Sequence, residues 1–232
     1  FIAELTASFL EKTGLLHDGV TMQSGAGGTS LAIAVFVSRI MKERGWKADF
    51  GFGGSTRYMV DMLRNGQMGC ILDAQAFDLD AVSSVGKTPG HIPYSVFNAY
   101  NYHSKGNLTG MMDIMILGAT EVDTSFNGNV VTHSDGYLLH GIGGWQNCLN
   151  ARNVILPLPL FRDRIPVVVD EVTTLCGPGE MIDVIITERG IAINPLRKDL
   201  TERCRGTGLP VRSIKELRDE AVRICGKPEK PR

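Results

Sequence analysis

The sequence has no excess of either charge: 24 lysines and arginines stand against 25 aspartates and glutamates in 232 residues. A nucleic-acid-binding face normally shows as a basic excess or a basic stripe, and neither is present, so no nucleic-acid partner is expected. Cysteine is sparse and unpatterned. The five (Cys70, Cys148, Cys176, Cys204 and Cys225) are odd in number and form no CxxC pair, which argues against a disulfide scaffold and a zinc site. They read as reduced thiols of a cytoplasmic protein. The longest apolar run, Leu31 to Val37, falls far short of the ~18 residues that span a bilayer, and no signal peptide is visible, so no membrane partner is expected. His103, His133 and His140 lack ligand spacing, and no metal is expected. Internal repeats, low-complexity tracts and sharp linkers are also missing. The first residue is Phe1 rather than methionine, and the chain reads as a piece of a longer polypeptide.

What the chain does have is glycine at the ends of apolar runs. Apolar residues at helical spacing run from Phe1 to Thr13, with Gly14 as the stop. Val20–Gln23 reads as a strand, Ser24-Gly-Ala-Gly-Gly28 as a turn, and Thr29–Arg44 as a helix closed by Gly45. Ala48–Phe52 is a second strand, Gly53-Gly54 its turn, and Ser55 a cap for a helix to Arg64. Met68–Leu72 is a third strand, followed by a short helix over Asp78–Val85. Strand, glycine turn and helix in repetition predict an α/β fold: a mostly parallel sheet with flanking helices. Ligands of such sheets bind outside the carboxyl ends of the strands.

Lys87–Leu108 shows no period and reads as a long irregular excursion. Beyond it strands predominate, at 111–117, 129–133, 153–156, 166–169, 183–187 and 191–193. Two helices are expected, at Arg197–Arg205 and at Ser213–Ile224 with a serine cap. Residues 1–226 are read as one domain and 227–232 as a frayed tail.

Two glycine clusters point to chemistry. Gly25, Gly27 and Gly28 precede a helix and fit either a tight structural turn or a phosphate contact on helix N–H groups, but the Lys-Ser/Thr ending of a P-loop is missing. Gly141-Ile-Gly-Gly144 follows a strand and precedes a short helical turn, Gln146–Asn150. Its backbone N–H groups could face a developing negative charge, as an oxyanion hole requires. Asp73 and Gln75 follow the third strand, where a carboxylate serves as nucleophile or base, or simply caps a helix. Cys148 has no clearly placed histidine to activate it and reads as a buried thiol. Thr187-Glu-Arg-Gly190 reads as a hairpin with a charged tip.

Four of these pieces, in order, resemble family I coenzyme A transferases. They are Asp18-Gly-Val-Thr-Met-Gln-Ser-Gly-Ala-Gly-Gly28, the strand pair from Gly118-Ala-Thr-Glu-Val-Asp123 to Gly128-Asn129, Gly141 to Gly144, and Ile185-Ile-Thr-Glu-Arg-Gly-Ile-Ala192. Leu72-Asp-Ala-Gln-Ala-Phe-Asp78 and Gly144-Trp-Gln-Asn-Cys-Leu-Asn-Ala-Arg152 resemble the citrate lyase α-subunit branch. The resemblance implies one lobe of a transferase fold, the C-terminal half of a longer subunit, with the missing N-terminal half across the cleft. It implies transfer of an acyl-carrier thioester from acetate to citrate, on a CoA-like phosphopantetheine arm carried by the acyl carrier (γ) subunit, beside a lyase (β) subunit. Acetyl-CoA is the implied surrogate.

In ordinary members a glutamate after the third strand forms a covalent thioester. Here that stretch is Leu72-Asp-Ala-Gln-Ala, with no glutamate. The implied route therefore has citrate's own carboxylate attack the thioester. The expected roles are oxyanion donors at Gly143, Gly144 and Trp145; orientation of citrate or the thioester carbonyl by Asp73 and Gln75; thioester contacts at Gln23, Gly25, Gly27, Gly28, Gly53 and Gly54; and cations for citrate at Arg57 and Arg152. The alternatives are an ordinary transferase with Asp73 as covalent nucleophile, and a carrier-docking module without catalysis.

Overall fold

The computed structural model describes residues 1–25, 27–101, 103, 107–139 and 141–228. His140 and the end of the expected tail, 229–232, lie outside the described residues. Helix α1 (Ile2–Lys12) leads to β1 (Thr21–Ser24), α2 (Gly28–Arg44), β2 (Ala48–Ser55), α3 (Arg57–Arg64), β3 (Met68–Ala76), α4 (Leu79–Ser84), β4 (His91–Pro93) and α5 (Val96–Tyr100). Then come β5 (Ile114–Ile116), β6 (Glu121–Asp123), β7 (Gly128–Asn129), α6 (Trp145–Cys148), β8 (Val154–Pro157), β9 (Phe161–Arg162), β10 (Ile165–Pro166) and β11 (Val168–Val169). The hairpin β12 (Val184–Thr187) and β13 (Gly190–Ile193) precedes α7 (Lys198–Arg203) and α8 (Ile214–Cys225).

Eight strands form the main sheet in the order β13-β12-β8-β5-β1-β2-β3-β4. All its pairings are parallel except that of β12 with β13, so the expected α/β architecture is the observed one. From β1 the chain steps outward through β2 and β3 to β4, then returns across the sheet to lay β5 on the other side of β1. The order reverses between β1 and β5, and a crevice opens at that point.

Alternation along the strands splits the core between the two faces. Ile114, Ile116, Ile155, Val184 and Ile186 pack with Phe9, Leu10, Ile33, Val37 and Val60 of α1–α3. The residues between them, Met115, Val154, Leu156 and Ile185, pack with Trp145, Leu149, Val122 and Leu217. Strands buried on both faces read as continuous apolar runs, which is why these segments show no polar alternation in sequence.

Several expectations need correction. The strand expected at 111–117 is only Ile114–Ile116, because Thr109–Met111 forms a 3-10 turn. The strand expected at 129–133 stops at Asn129, whose side chain bonds the Val131 and Thr132 N–H groups and ends the ladder. The 166–169 strand is two pieces in two small sheets: β10 pairs with β9, and β11 with β6. The excursion is not wholly irregular, since it carries β4 and α5. Ser55 does not cap α3: it ends β2, and its hydroxyl donates to Asp73 at 2.9 Å. The Arg57 N–H at the start of α3 is instead taken by Asp78 Oδ2 at 2.7 Å. Ser213 does cap α8, in a reciprocal box with Glu216.

Candidate functional site

A cavity of about 940 Å³ opens at the crevice beside β1. The carboxyl ends of four parallel strands wall it: Gln23 on β1 and Gly25 after it, Gly54 on β2, Ala74 and Gln75 on β3, Leu117 and Gly118 after β5. Tyr100 from the end of α5 and the segment Gly143–Trp145 close another side, and Arg162 on β9 adds a cation.

The β3 wall is shaped by a skipped residue. Gly53 pairs with Asp73 and Gly54 with Gln75, so Ala74 has no partner across the ladder. A bulge of this kind re-aims the side chains around it. Asp73 holds it in place: Oδ1 accepts the Gln75 N–H at 2.9 Å, while Oδ2 accepts the Ser55 hydroxyl at 2.9 Å and lies 3.0 Å from His91 Nε2. His91 Nδ1 in turn meets the Ser84 hydroxyl at 2.9 Å. Both Asp73 and His91 are buried. Asp73 is therefore not a wall residue, which corrects its expected role toward citrate or the thioester. Its carboxylate is engaged by three donors that hold the bulge, while Gln75 stands on the wall.

The Gly141–Gly144 turn is tied to the β5 end by Trp145, whose indole Nε1 donates to the Gly118 carbonyl at 2.7 Å. The ring fits because Gly128 and Gly177 carry no side chains: a Cβ on either would lie within 3.0 Å of it. Of the three expected oxyanion donors, the Trp145 N–H bonds back to the Ile142 carbonyl at 3.3 Å. That assignment is corrected, and Trp145 acts as a wall and an anchor. No acceptor among the described residues takes the N–H of Gly143 or Gly144, and both residues line the cavity. Gly143 has φ +57°, which favours glycine. Gly144 packs against Tyr100, and a Cβ there would lie 3.1 Å from the ring.

Gln23 and Gly25 line the cavity, whereas Gly27 and Gly28 form the start of α2 and do not. Gly53 is likewise off the wall: a Cβ there would touch Gln23 Cγ and the Tyr100 hydroxyl, at 3.3 and 3.5 Å. Neither of the two expected cations lines the cavity. Arg57 is exposed and reaches toward Asp80, at 3.8 Å. Arg152 pairs with Asp113 at 2.9 Å, and its N–H bonds Met112 just ahead of β5, at the opposite end of the strands. Among the described residues, the cation that lines the cavity is Arg162, which the sequence did not single out. It sits beside a two-residue hairpin turn at Asp163-Arg164, where Asp163 has φ +53°. Its guanidinium donates to the carbonyls of Thr120 at 3.2 Å and Ala119 at 2.7 Å. It pairs with no carboxylate among the described residues, and burial lowers its pKa. The available signal was an arginine directly after the apolar run Val154–Phe161.

Burial pushes the Cys148 thiol up to about 12, so it stays protonated, as expected for a buried thiol without an activating base. The Tyr100 hydroxyl is also raised, first by burial and then by Cys148 and Asp73, and remains a donor. The other motif residues build the scaffold. Glu121 accepts from Asn129 at 2.9 Å and Ser134 at 2.7 Å, and Asp123 accepts from the Ser125 and Asn127 N–H groups. Thr187–Gly190 is the β12–β13 hairpin, with Glu188 accepting the Leu160 N–H at 3.0 Å.

The sequence pattern of the family "Citrate lyase, alpha subunit (CitF)" matches residues 1–231. A citrate lyase alpha chain of Escherichia coli (strain K12) is 40% identical over 229 residues, 98% of this chain and 45% of the relative. A solved structure from Streptococcus mutans, described as the alpha subunit of citrate lyase in complex with citrate, superposes with a TM-score of 0.95. It is 38% identical, over 98% of this chain and 45% of that one. A Pseudomonas malonate decarboxylase hetero-tetramer in complex with malonate shares the fold, with a TM-score of 0.63 at 15% identity, over 96% of this chain and 49% of that one. The chain thus spans about half the length of the curated relatives it matches.

Proposed function

The chain belongs to the citrate lyase alpha-subunit family, and on that premise we propose that it forms one wall of a transferase site that moves an acyl-carrier thioester from acetate to citrate. The observation that carries this reading is the cavity at the β1/β5 crevice, which is lined by Gly143 and Gly144, whose N–H groups have no acceptor among the described residues, and by Arg162, which has no carboxylate partner among them. That combination suits an anionic substrate and a reaction that builds negative charge on a carbonyl oxygen. The citrate bound to the Streptococcus mutans relative supports the choice of carboxylate.

In the proposed reaction a citrate carboxylate oxygen attacks the acetyl thioester carbonyl. The carbon–sulfur bond breaks, leaving a mixed anhydride and a thiolate. The thiolate attacks the citryl carbonyl, and acetate leaves with the bridging oxygen. Gly143 and Gly144 N–H stabilise the oxyanion of each addition, Arg162 holds a substrate carboxylate, and Gln75 and Gly25 border the thioester. The CoA-like arm of an acyl carrier subunit supplies the sulfur. The arm would lie along a wall of Gly25, Gly54 and Gly144 with the Phe77 and Tyr100 rings, which occupy the space that a Cβ on Gly54 or Gly144 would need. The site is completed by the remainder of the subunit, and the lyase subunit consumes the product. An ordinary transferase with Asp73 as nucleophile is disfavoured, because that carboxylate is buried and engaged by Ser55, His91 and the Gln75 N–H.

The test uses the complete subunit with citrate and acetyl-carrier protein, or acetyl-CoA as surrogate, followed by mass spectrometry. Acetate release with a citryl thioester and no acyl-enzyme is expected. An acyl adduct on Asp73 would return the ordinary transferase, and carrier binding without transfer would leave only a docking module.

A further inference from the structure

Gln23 is 7% exposed, lines the cavity, and its side-chain Oε1 has no hydrogen-bond partner among the described residues. A buried polar atom with no protein partner is rare, and its cost is removed when a ligand supplies the missing bond. The structure therefore assigns Gln23 to substrate selection: we propose that its carboxamide reads the hydroxyl of a hydroxylated carboxylate, so that citrate is preferred over the same tricarboxylate without the hydroxyl. The inference rests on the transfer reading above.

Two observations place the carboxamide near the reacting groups. Gln23 Cγ and the Tyr100 hydroxyl both crowd the position a Gly53 Cβ would take, at 3.3 and 3.5 Å. The same hydroxyl lies 3.4 Å from the position a Gly144 Cβ would take. Gln23 and the Gly144 turn thus border one tyrosine tip. Carboxylate and thioester carbonyl oxygens carry no proton and cannot satisfy an amide oxygen. At neutral pH the hydroxyl is the only O–H donor citrate has. A hydroxyl also serves either orientation of the carboxamide, because it both donates and accepts. Arg162 would hold charge and Gln23 would read the hydroxyl, which divides affinity from selectivity. A site built around a substrate hydroxyl rejects the analogue lacking it far more strongly than an apolar pocket rejects a missing methylene.

The experiment compares citrate with tricarballylate (citrate without its hydroxyl) in the complete subunit, wild type and Gln23→Met, a near-isosteric change. Transfer is read as kcat/KM, and binding of each acid is read by calorimetry. Wild type is expected to favour citrate by at least ~100-fold in kcat/KM, and Gln23→Met to reduce that ratio at least ~10-fold. An unchanged ratio in a folded variant overturns the assignment. So does an unchanged ratio with a raised KM for acetyl-CoA, which would turn the carboxamide toward an amide of the thioester arm. If wild type transfers to neither acid, the transferase reading fails separately. Calorimetry then still decides: a binding preference for citrate that Gln23→Met removes supports the inference, and one it leaves intact overturns it.

Discussion

Trp145 and Gly118, 27 residues apart, are joined by an indole-to-carbonyl hydrogen bond of 2.7 Å. The bond fastens the glycine turn before α6 to the carboxyl end of β5, so the two walls of the cavity keep one spacing. Trp145→Phe retains most of the buried ring and removes the donor, leaving the Gly118 carbonyl unpaired. The expected cost is about 1–3 kcal/mol. Thermal unfolding should shift down by roughly 3–10 °C, and an unchanged midpoint would show that the bond does not hold the turn.

Gly144→Val should reduce transfer by about 10²–10³ with the fold retained. The new side chain starts 3.1 Å from the Tyr100 ring, so the ring or the turn must move away from the reacting carbonyl. Circular dichroism checks folding and single-turnover kinetics check chemistry. A folded, fully active variant removes Gly144 from the oxyanion site.

Arg162→Met should raise the citrate KM about 10- to 100-fold, in the range of a lost charge-assisted hydrogen bond. Arg162→Lys should recover only part of this, because an ammonium cannot bond two carbonyls and a carboxylate in the planar geometry of a guanidinium. Arg57→Met and Arg152→Met, both away from the cavity, should leave the citrate KM within about twofold, since exposed ion pairs contribute little. A large effect at Arg152 and none at Arg162 would reverse the assignment.

Cys148 supplies a pH signature. Its thiol titrates near 9 when unfolded and near about 12 when folded, because burial disfavours the thiolate. Below pH 9 both states are protonated and the contribution to stability is constant. As pH rises from about 9 to about 12 the unfolded state loses its proton first, so stability falls. Cys148→Ala should flatten this alkaline loss. Alkylation of the wild-type thiol at pH 8 should be far slower than that of a model thiol, and fast alkylation would contradict its burial.

His91→Ala should destabilise the chain by roughly 3–5 kcal/mol, because it removes a buried partner of a buried carboxylate. Asp73→Asn, which keeps much of the hydrogen bonding around Ser55, should still transfer measurably. Hydroxylamine treatment during turnover should leave Asp73 unmodified by mass spectrometry. A trapped acyl-Asp73 would overturn both the placement and the mechanism.

The parallel sheet was legible in the sequence because its strands are short apolar runs ended by glycine, and its helices α2 and α8 carry their own stops and caps. The irregular second half was less legible. Strands of two or three residues, such as β6 and β7, have no period to detect; around that pair Asp123 and Asn129 accept neighbouring backbone N–H groups, and the Asn129 amide donates to Glu121. In the site, the Gly143-Gly144 turn was readable from its glycines, whereas Gln75, expected after a strand ending at Leu72, lies on β3 itself. Arg162 and Tyr100 were not readable, since each arrives from a segment without regular pattern.

By itself the sequence determined the fold class, the glycine turn before α6 and the family resemblance, all of which are carried by local order and spacing; the turn expected at Gly53-Gly54 is instead part of β2. Only the tertiary structure decided which side chains face the cavity. It turned Asp73 inward onto His91 and Ser55, sent Arg152 to the far end of the sheet, and brought Arg162 from a distant hairpin. The physical reason is that a strand's local pattern sets which face a residue takes, whereas what it meets there depends on chain segments that return from elsewhere.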